Sequence, residues 1–236
     1  MIFLKSLLFL LGQIVSTFLL GPLVLMLWPF PMQSRYRLAV LWTRFNLWML
    51  KVICGLGFEV KGTHHIPKDQ AGLIFCKHQS AFETLALLVI FPPSVFILKQ
   101  ELIRIPVWGW ALSTLKPIAI DRSAKSQALK QVLREGVARI RSGYWVILFP
   151  EGTRVAPGEK GHYGSSGGLL AHRAQCPVVP VAHNAGTYWR KNGFLKYPGT
   201  IQVVVGPALD GATLSAAEIT RQGEAWIEET MAALPH

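Results

Sequence analysis

The chain has 236 residues, enough for one sizeable domain with an appendage. It is 51% hydrophobic and 16% charged yet carries a formal net charge of +11, whereas ordinary domains are about 25% charged. That pairing favours an anionic membrane surface as partner, and no nucleic acid, since no module for nucleic acid is readable. The three cysteines, Cys54, Cys76 and Cys176, are odd in number, far apart and without a Cys-x-x-Cys spacing. They argue against a disulfide framework or a structural zinc site and fit a reducing compartment.

The N-terminus reads as an anchor. Ser6 to Trp28 is a stretch of 23 residues without a charge. As a helix it would span about 34 Å, enough for a hydrocarbon core of about 30 Å. Gly21-Pro22 is expected to kink or split it. A second helical pattern covers Ser34 to Cys54 and mixes Arg35, Arg37, Arg44 and Lys51 with Trp42, Phe45 and Trp48, a composition suited to the membrane interface. The first helix either spans, with the second on the surface, or both lie as a hairpin in one leaflet. Basic residues follow the apolar segment, so the body is expected on the cytoplasmic side of the membrane. The division is residues 1–55 as anchor and 56–236 as the globular body.

In the body, Gly57–Lys61 alternates like a strand, and Ile66–Gly72 is a loop. Leu73–Cys76 is a short apolar run that reads as a buried strand, and a helix follows from near Ser80 to about Ile90, stopped by Phe91-Pro-Pro. Val95–Leu98 is a strand, and Leu102–Leu115 a helix interrupted at Pro106 and Gly109. Pro117–Asp121 is the next strand, Lys125–Arg141 a long helix, and Tyr144–Phe149 another strand. A Gly- and Ser-rich loop, Gly158–Gly168, leads to a helix ending near Gln175. Strands at Val178–Ala182 and Ile201–Val205 and a helix over Ser215–Leu234 complete the chain. Strands alternating with helices predict an α/β fold with a mixed, largely parallel sheet flanked by helices, behind the two-helix anchor.

Three turns place polar groups at strand ends, where open α/β sheets bind ligands: His78 to Glu83, Asp121-Arg122 and Glu151 to Arg154. Each has a plainer explanation. Ser80 and Glu83 make a capping box, Asp121 can cap the helix after it, and Pro150-Glu-Gly-Thr can be an ordinary turn. Five residues along a helix separate two side chains by roughly 140°, so His78 and Glu83 meet only if His78 precedes the helix and Glu83 lies in its first turn. Together the turns would offer a base, a carboxylate and two guanidinium groups, whose planar forks suit phosphate. Cys76 reads as a small buried hydrophobe and not as a nucleophile.

In order, these blocks resemble the glycerolipid acyltransferase family, and within it the bacterial 1-acylglycerol-3-phosphate acyltransferases. The matching blocks are His78 to Glu83 for the family's His-x4-Asp, Ile120-Asp121-Arg122, Phe149-Pro-Glu-Gly-Thr-Arg154, and Val179-Pro180-Val181, with Lys99 to Gly109 also of the family's cast. The resemblance covers roughly residues 56–206. It implies acyl transfer from an acyl-carrier protein or coenzyme A thioester to a lysophospholipid hydroxyl, with no cofactor and no metal. It implies His78 as general base and Glu83 as the residue that orients it. Arg122 matches an acceptor-phosphate arginine, and Glu151, Gly152, Thr153 and Arg154 an acceptor-binding turn. Val179 and Pro180 would shape the acyl region.

The sequence departs from the family pattern twice. Glu83 stands where the family has aspartate, so an aspartate at 83 is expected to keep substantial activity. Tyr163 is followed by Gly164-Ser165-Ser166, where the family often has a basic residue, which leaves another lysolipid, such as a lyso-ornithine lipid, open as acceptor. The alternative of another class is a lipid-binding membrane protein without turnover. No Gly-x-Ser-x-Gly or His-Glu-x-x-His pattern points to a hydrolase or a zinc enzyme.

Overall fold

The computed structural model describes residues 1–91 and 93–235. Its first element, α1 (Ile2–Met26), runs unbroken through Gly21-Pro22, where the sequence predicts a kink or split. Glycine at 21 lets the helix seat closely, because a Cβ there would stand 2.6 Å from Val107 Cγ1. After a short turn, α2 (Met32–Cys54) folds back and packs along α1. Phe9 of α1 and Tyr36, Leu47 and Leu50 of α2 are buried against the body.

The body begins with β1 (Leu56–Lys61), followed by β2 (Leu73–Cys76), α3 (Phe82–Ile90) and β3 (Ser94–Lys99). The expected stop at Phe91-Pro-Pro includes Pro92, which lies outside the described residues. Next come α4 (Trp108–Ser113), β4 (Ile118–Ile120), α5 (Lys125–Arg141) and β5 (Trp145–Leu148). The interrupted helix expected over Leu102–Leu115 is a 3-10 turn at Gln100–Arg104 and then α4. Between them Val107 sits at φ 62, a conformation costly for a β-branched residue. The chain closes with α6 (Ser166–Ala174), β6 (Pro177–His183), α7 (Ala185–Tyr188), β7 (Gly199–Val205), β8 (Leu209–Asp210) and α8 (Ala216–Ala233). The short β8 and α7 were not expected, since two to four residues are too few to show a period.

The sheet runs β1-β7-β6-β2-β5-β3-β4, with β8 beside β6. The five strands β6, β2, β5, β3 and β4 are parallel neighbours. Antiparallel pairing occurs only at β6–β7 and β6–β8 among the described strands. The expected mixed, largely parallel sheet is therefore what forms. In β2, Ile74 and Cys76 face the core under α1 to α3, while Leu73 and Phe75 face the one under α5, α6 and α8, the alternation that a sheet covered on both faces requires. Because five neighbouring strands run the same way, their carboxyl ends all open on one edge. There His78, Lys99, Arg122, Phe149 to Arg154 and His183 come together.

Candidate active site

The loop after β2 is extended before α3 starts, so His78 and Glu83 turn toward each other. His78 Nδ1 is hydrogen-bonded to Glu83 Oε2. An ionised carboxylate can only accept, so the proton lies on Nδ1 and the lone pair on Nε2. The ring stacks on Phe149, with centroids 3.9 Å apart and planes 16° from parallel. That contact fixes the remaining rotation of the imidazole.

Glu83 also does the work of a cap. Its Oε1 accepts from the amides of Ser80 at 2.5 Å and Gln79 at 2.7 Å. The other half of the expected capping box is shifted: Ser80 Oγ accepts from the Phe82 amide, and α3 begins two residues later than predicted. Burial alone would push the Glu83 carboxyl up. The neighbouring His183 and His78 and the Gln79 amide outweigh it and hold the group below the ordinary glutamate range.

The loop after β5 clamps the histidine's backbone from both sides. The His78 amide donates to Glu151 Oε2 at 2.9 Å, and the His78 carbonyl accepts from the Val155 amide at 2.8 Å. Glu151 itself does not line the cavity described below. It is buried and faces Lys77, whose Nζ lies 2.8 Å from Glu151 Oε1 and 2.8 Å from Glu228 Oε1 of α8. Tyr163 donates to that same Glu228 oxygen at 2.7 Å. The Gly-rich loop thus turns its aromatic residue inward.

A cavity of about 930 Å³ opens at His78. Phe18 of α1, Trp42 of α2, Leu85 and Leu88 of α3 and Leu98 of β3 make its wall largely apolar, and Lys99, Arg122, Thr153 and Arg154 supply charge and hydroxyl near the histidine. Arg122 donates to the Gly152 carbonyl. Gly152 holds that carbonyl in place at φ 66, in the left-handed region. Asp121 points away from the cavity, where its carboxylate caps the following turn through Ser123.

Of the residues singled out from sequence, His78, Arg122, Thr153 and Arg154 line the cavity, and Glu83 sits directly behind His78. Glu151 lies beneath the histidine's peptide, and Gly152 presents its carbonyl to Arg122. Val179 and Pro180 are buried in β6, paired with Ile74 and Phe75, and are not on the cavity wall. Four residues were missed: Lys77, Phe149's stacking role, His183 and Glu228. His183 ends a parallel strand, the same signal that pointed to His78.

A family model described as Acyltransferase matches residues 57–184. The 1-acyl-sn-glycerol-3-phosphate acyltransferase of Pseudomonas aeruginosa is 45% identical over 97% of this chain and 90% of its own length. The human protein named 1-acyl-sn-glycerol-3-phosphate acyltransferase alpha is 31% identical over 58% of this chain and 49% of its own. The crystal structure of the 1-acyl-sn-glycerophosphate acyltransferase of Thermotoga maritima superposes with a TM-score of 0.81 at 23% identity, over 98% of this chain and 94% of that one, and shows the same fold. On these matches, the chain belongs to the acyltransferase family.

Proposed function

We propose that this enzyme moves a fatty acyl group from an acyl-carrier protein or coenzyme A thioester to the free hydroxyl of 1-acylglycerol 3-phosphate, giving phosphatidate. The observation that carries this reading is the His78–Glu83 pair at the mouth of an apolar cavity with arginines beside it, in a chain so similar to the Pseudomonas protein of that name.

Glu83 holds the imidazole with Nε2 unprotonated and facing the acceptor hydroxyl. As that oxygen attacks the thioester carbonyl, its proton passes to Nε2, and a tetrahedral oxyanion forms. Collapse breaks the carbon–sulfur bond. The leaving thiolate takes the proton from His78, and base, ester and thiol balance. A thioester is already activated, so the base carries the demanding step and is worth about 10² to 10⁴ in rate. Arg122, Thr153 and Arg154 receive the acceptor's phosphate, with Gly152 placing Arg122. Glu151 serves by fixing the His78 peptide. The apolar cavity receives an acyl chain. Val179 backs the acyl region from inside the sheet, on the face under α1 to α3, whereas Pro180, paired with Phe75, lies toward the opposite face.

The membrane reading rests on where apolar surface is left bare. Phe3, Leu8, Phe18 and Leu19 of α1 are exposed, and only 22% of its most apolar window is buried. On α2, exposed Arg37, Arg44 and Lys51 alternate with Leu41, Phe45, Trp48 and Val52 along one stripe. A patch of this size marks a lipid or protein contact. We read it as both helices embedded in one anionic leaflet, on the cytoplasmic face of the inner membrane. Arg35 is not part of the stripe: it is buried and donates to the Trp28 carbonyl at 3.2 Å.

The test is thiol release from acyl-coenzyme A and acyl-carrier protein with a panel of lysolipids. Lysophosphatidate should be the preferred acceptor, and His78→Ala should lower turnover by roughly 10² to 10⁴ while the protein remains folded. Faster acylation of lyso-ornithine lipid would reassign the acceptor. Wild-type turnover by His78→Ala would remove the base.

A further inference from the structure

Glu83 has a second imidazole on its far side. His183, the last residue of β6, is 1% exposed. Its Nε2 stands 3.3 Å from Glu83 Oε1 and 2.9 Å from the Lys77 carbonyl. Its Nδ1 accepts from the Ala185 amide at 3.2 Å. Both neighbours of Nε2 are acceptors and the neighbour of Nδ1 is a donor, so the hydrogen-bond pattern puts the ring's one proton on Nε2. Burial also lowers the ring's basicity, against the pull of Glu83, and keeps it neutral.

We infer that His183 is a positioning residue for the reaction: its Nε2–H, shared between Glu83 and the Lys77 carbonyl, locks the carboxylate that orients His78. This rests on the reading of His78 and Glu83 as base and orienter. The Glu83 side chain has more rotatable bonds than a carboxylate needs to reach His78. The Gln79 and Ser80 amides donate to Oε1, and the His183 Nε2–H, hydrogen-bonded to the Lys77 carbonyl, stands 3.3 Å from the same oxygen; together they leave Oε2 with one direction to face. The Lys77 carbonyl belongs to the peptide whose amide His78 donates to Glu151. His183 therefore grips both ends of the segment that presents the catalytic ring: its backbone just before His78 and its carboxylate partner just behind. It touches no cavity-lining surface and cannot act on substrate directly.

Two amide substitutions separate this role from simple packing. In His183→Gln the side-chain amide reaches the place of Nε2 and can still donate to Glu83. In His183→Asn the amide reaches only the place of Nδ1, so the Ala185 contact survives and the donor to Glu83 is lost. A hydrogen bond to a charged group that acts in the transition state is worth about 10- to 100-fold in rate. His183→Asn should therefore lower kcat by about that factor, with the KM for lysophosphatidate and for acyl-coenzyme A within about twofold of wild type. His183→Gln should recover most of the loss. Equal kcat in His183→Asn and wild type, or equal losses in the two variants, would overturn the inference. An inactive His78→Ala beside a fully active His183→Asn would sink this inference alone, whereas an active His78→Ala would sink the dyad itself. If neither variant folds, wild-type protein labelled with ¹⁵N-histidine decides: His183 must show a protonated Nε2 and a bare Nδ1 at neutral pH, and the reverse tautomer refutes the role.

Discussion

Lys77→Met should cost this enzyme more stability than any other single change near the site. The ammonium is 1% exposed and lies 2.8 Å from each of two carboxylates, Glu151 and Glu228, with the Glu159 carbonyl at 3.2 Å. Glu151 is itself fully buried at the side chain, and Glu228 is 21% exposed. Burial already pushes the Glu151 carboxyl above the ordinary glutamate value, against the opposing effects of Lys77 and the His78 amide. Without Lys77, a buried carboxylate faces no cation and must either stay charged at high cost or take up a proton. Removing one partner of a buried pair costs about 3–5 kcal/mol. At about 2–4 °C per kcal/mol for a chain of this length, the melting temperature should fall by roughly 6–20 °C. Glu228→Gln leaves Lys77 paired with Glu151 and takes the acceptor's charge from two bonds, those of Lys77 and Tyr163, while a neutral amide oxygen can still accept, so about 1.5–3 kcal/mol is expected. Adding Glu151→Gln and Glu228→Gln to Lys77→Met should restore much of the loss, because it removes the unpaired charges together. Thermal unfolding in one detergent, followed by circular dichroism, measures all three. A Lys77→Met protein melting within 2 °C of wild type, a margin far below the ~6 °C lower bound, would show that the ammonium's position is not what holds this network.

The geometry reverses the expectation for Glu83→Asp. An aspartate is one methylene too short to keep both His78 on one oxygen and the Gln79 and Ser80 amides on the other. Losing one charge-assisted bond, about 1.5–3 kcal/mol, should lower kcat at least tenfold, and an undiminished kcat would show that the backbone adjusts freely. The three cysteines are buried, with the Cys76 thiol pushed up by burial and by Glu83 and Glu151, and the Cys176 thiol pushed up to about 12 by burial. Iodoacetamide at pH 8 should leave activity intact, with mass spectrometry finding all three adducts only after denaturation; rapid inactivation of native enzyme contradicts that burial. Replacing Arg37, Arg44 and Lys51 with Gln should weaken binding to phosphatidylglycerol vesicles roughly hundredfold at low salt, at about 1 kcal/mol per surface charge. Unchanged binding would take the α2 stripe off the membrane.

What the sequence made legible was local. Leu73–Cys76 followed by His78 and Ser80 announces strand, strand end and helix start within ten residues, and the sheet follows from the repetition of that pattern. Partners brought in from far along the chain left no such trace. Lys77 meets Glu228 across 151 residues, and nothing around either position says that the terminal helix will deliver a carboxylate there. Arg35 and Arg37 look alike in sequence, yet one is buried on a carbonyl and the other is exposed. Only the angle at which α2 packs decides between them.

Glu83 shows why the plain and the functional explanations of one residue need not compete. From sequence, capping the helix and orienting the histidine were rival accounts of it. In the folded chain the carboxylate has two oxygens and uses one for each: Oε1 takes the helix-start amides and Oε2 takes His78. The cap is what makes the orientation rigid, since a carboxylate fixed by backbone amides cannot swing away when the imidazole becomes charged. At that moment the attraction between Glu83 and His78 is greatest, and a preorganised partner needs no rearrangement to supply it. In the proposed mechanism, a helix start placed immediately after a strand end therefore supplies a general base and its support from a single short segment. The second histidine at the end of β6 extends the same economy of placement to the neighbouring strand.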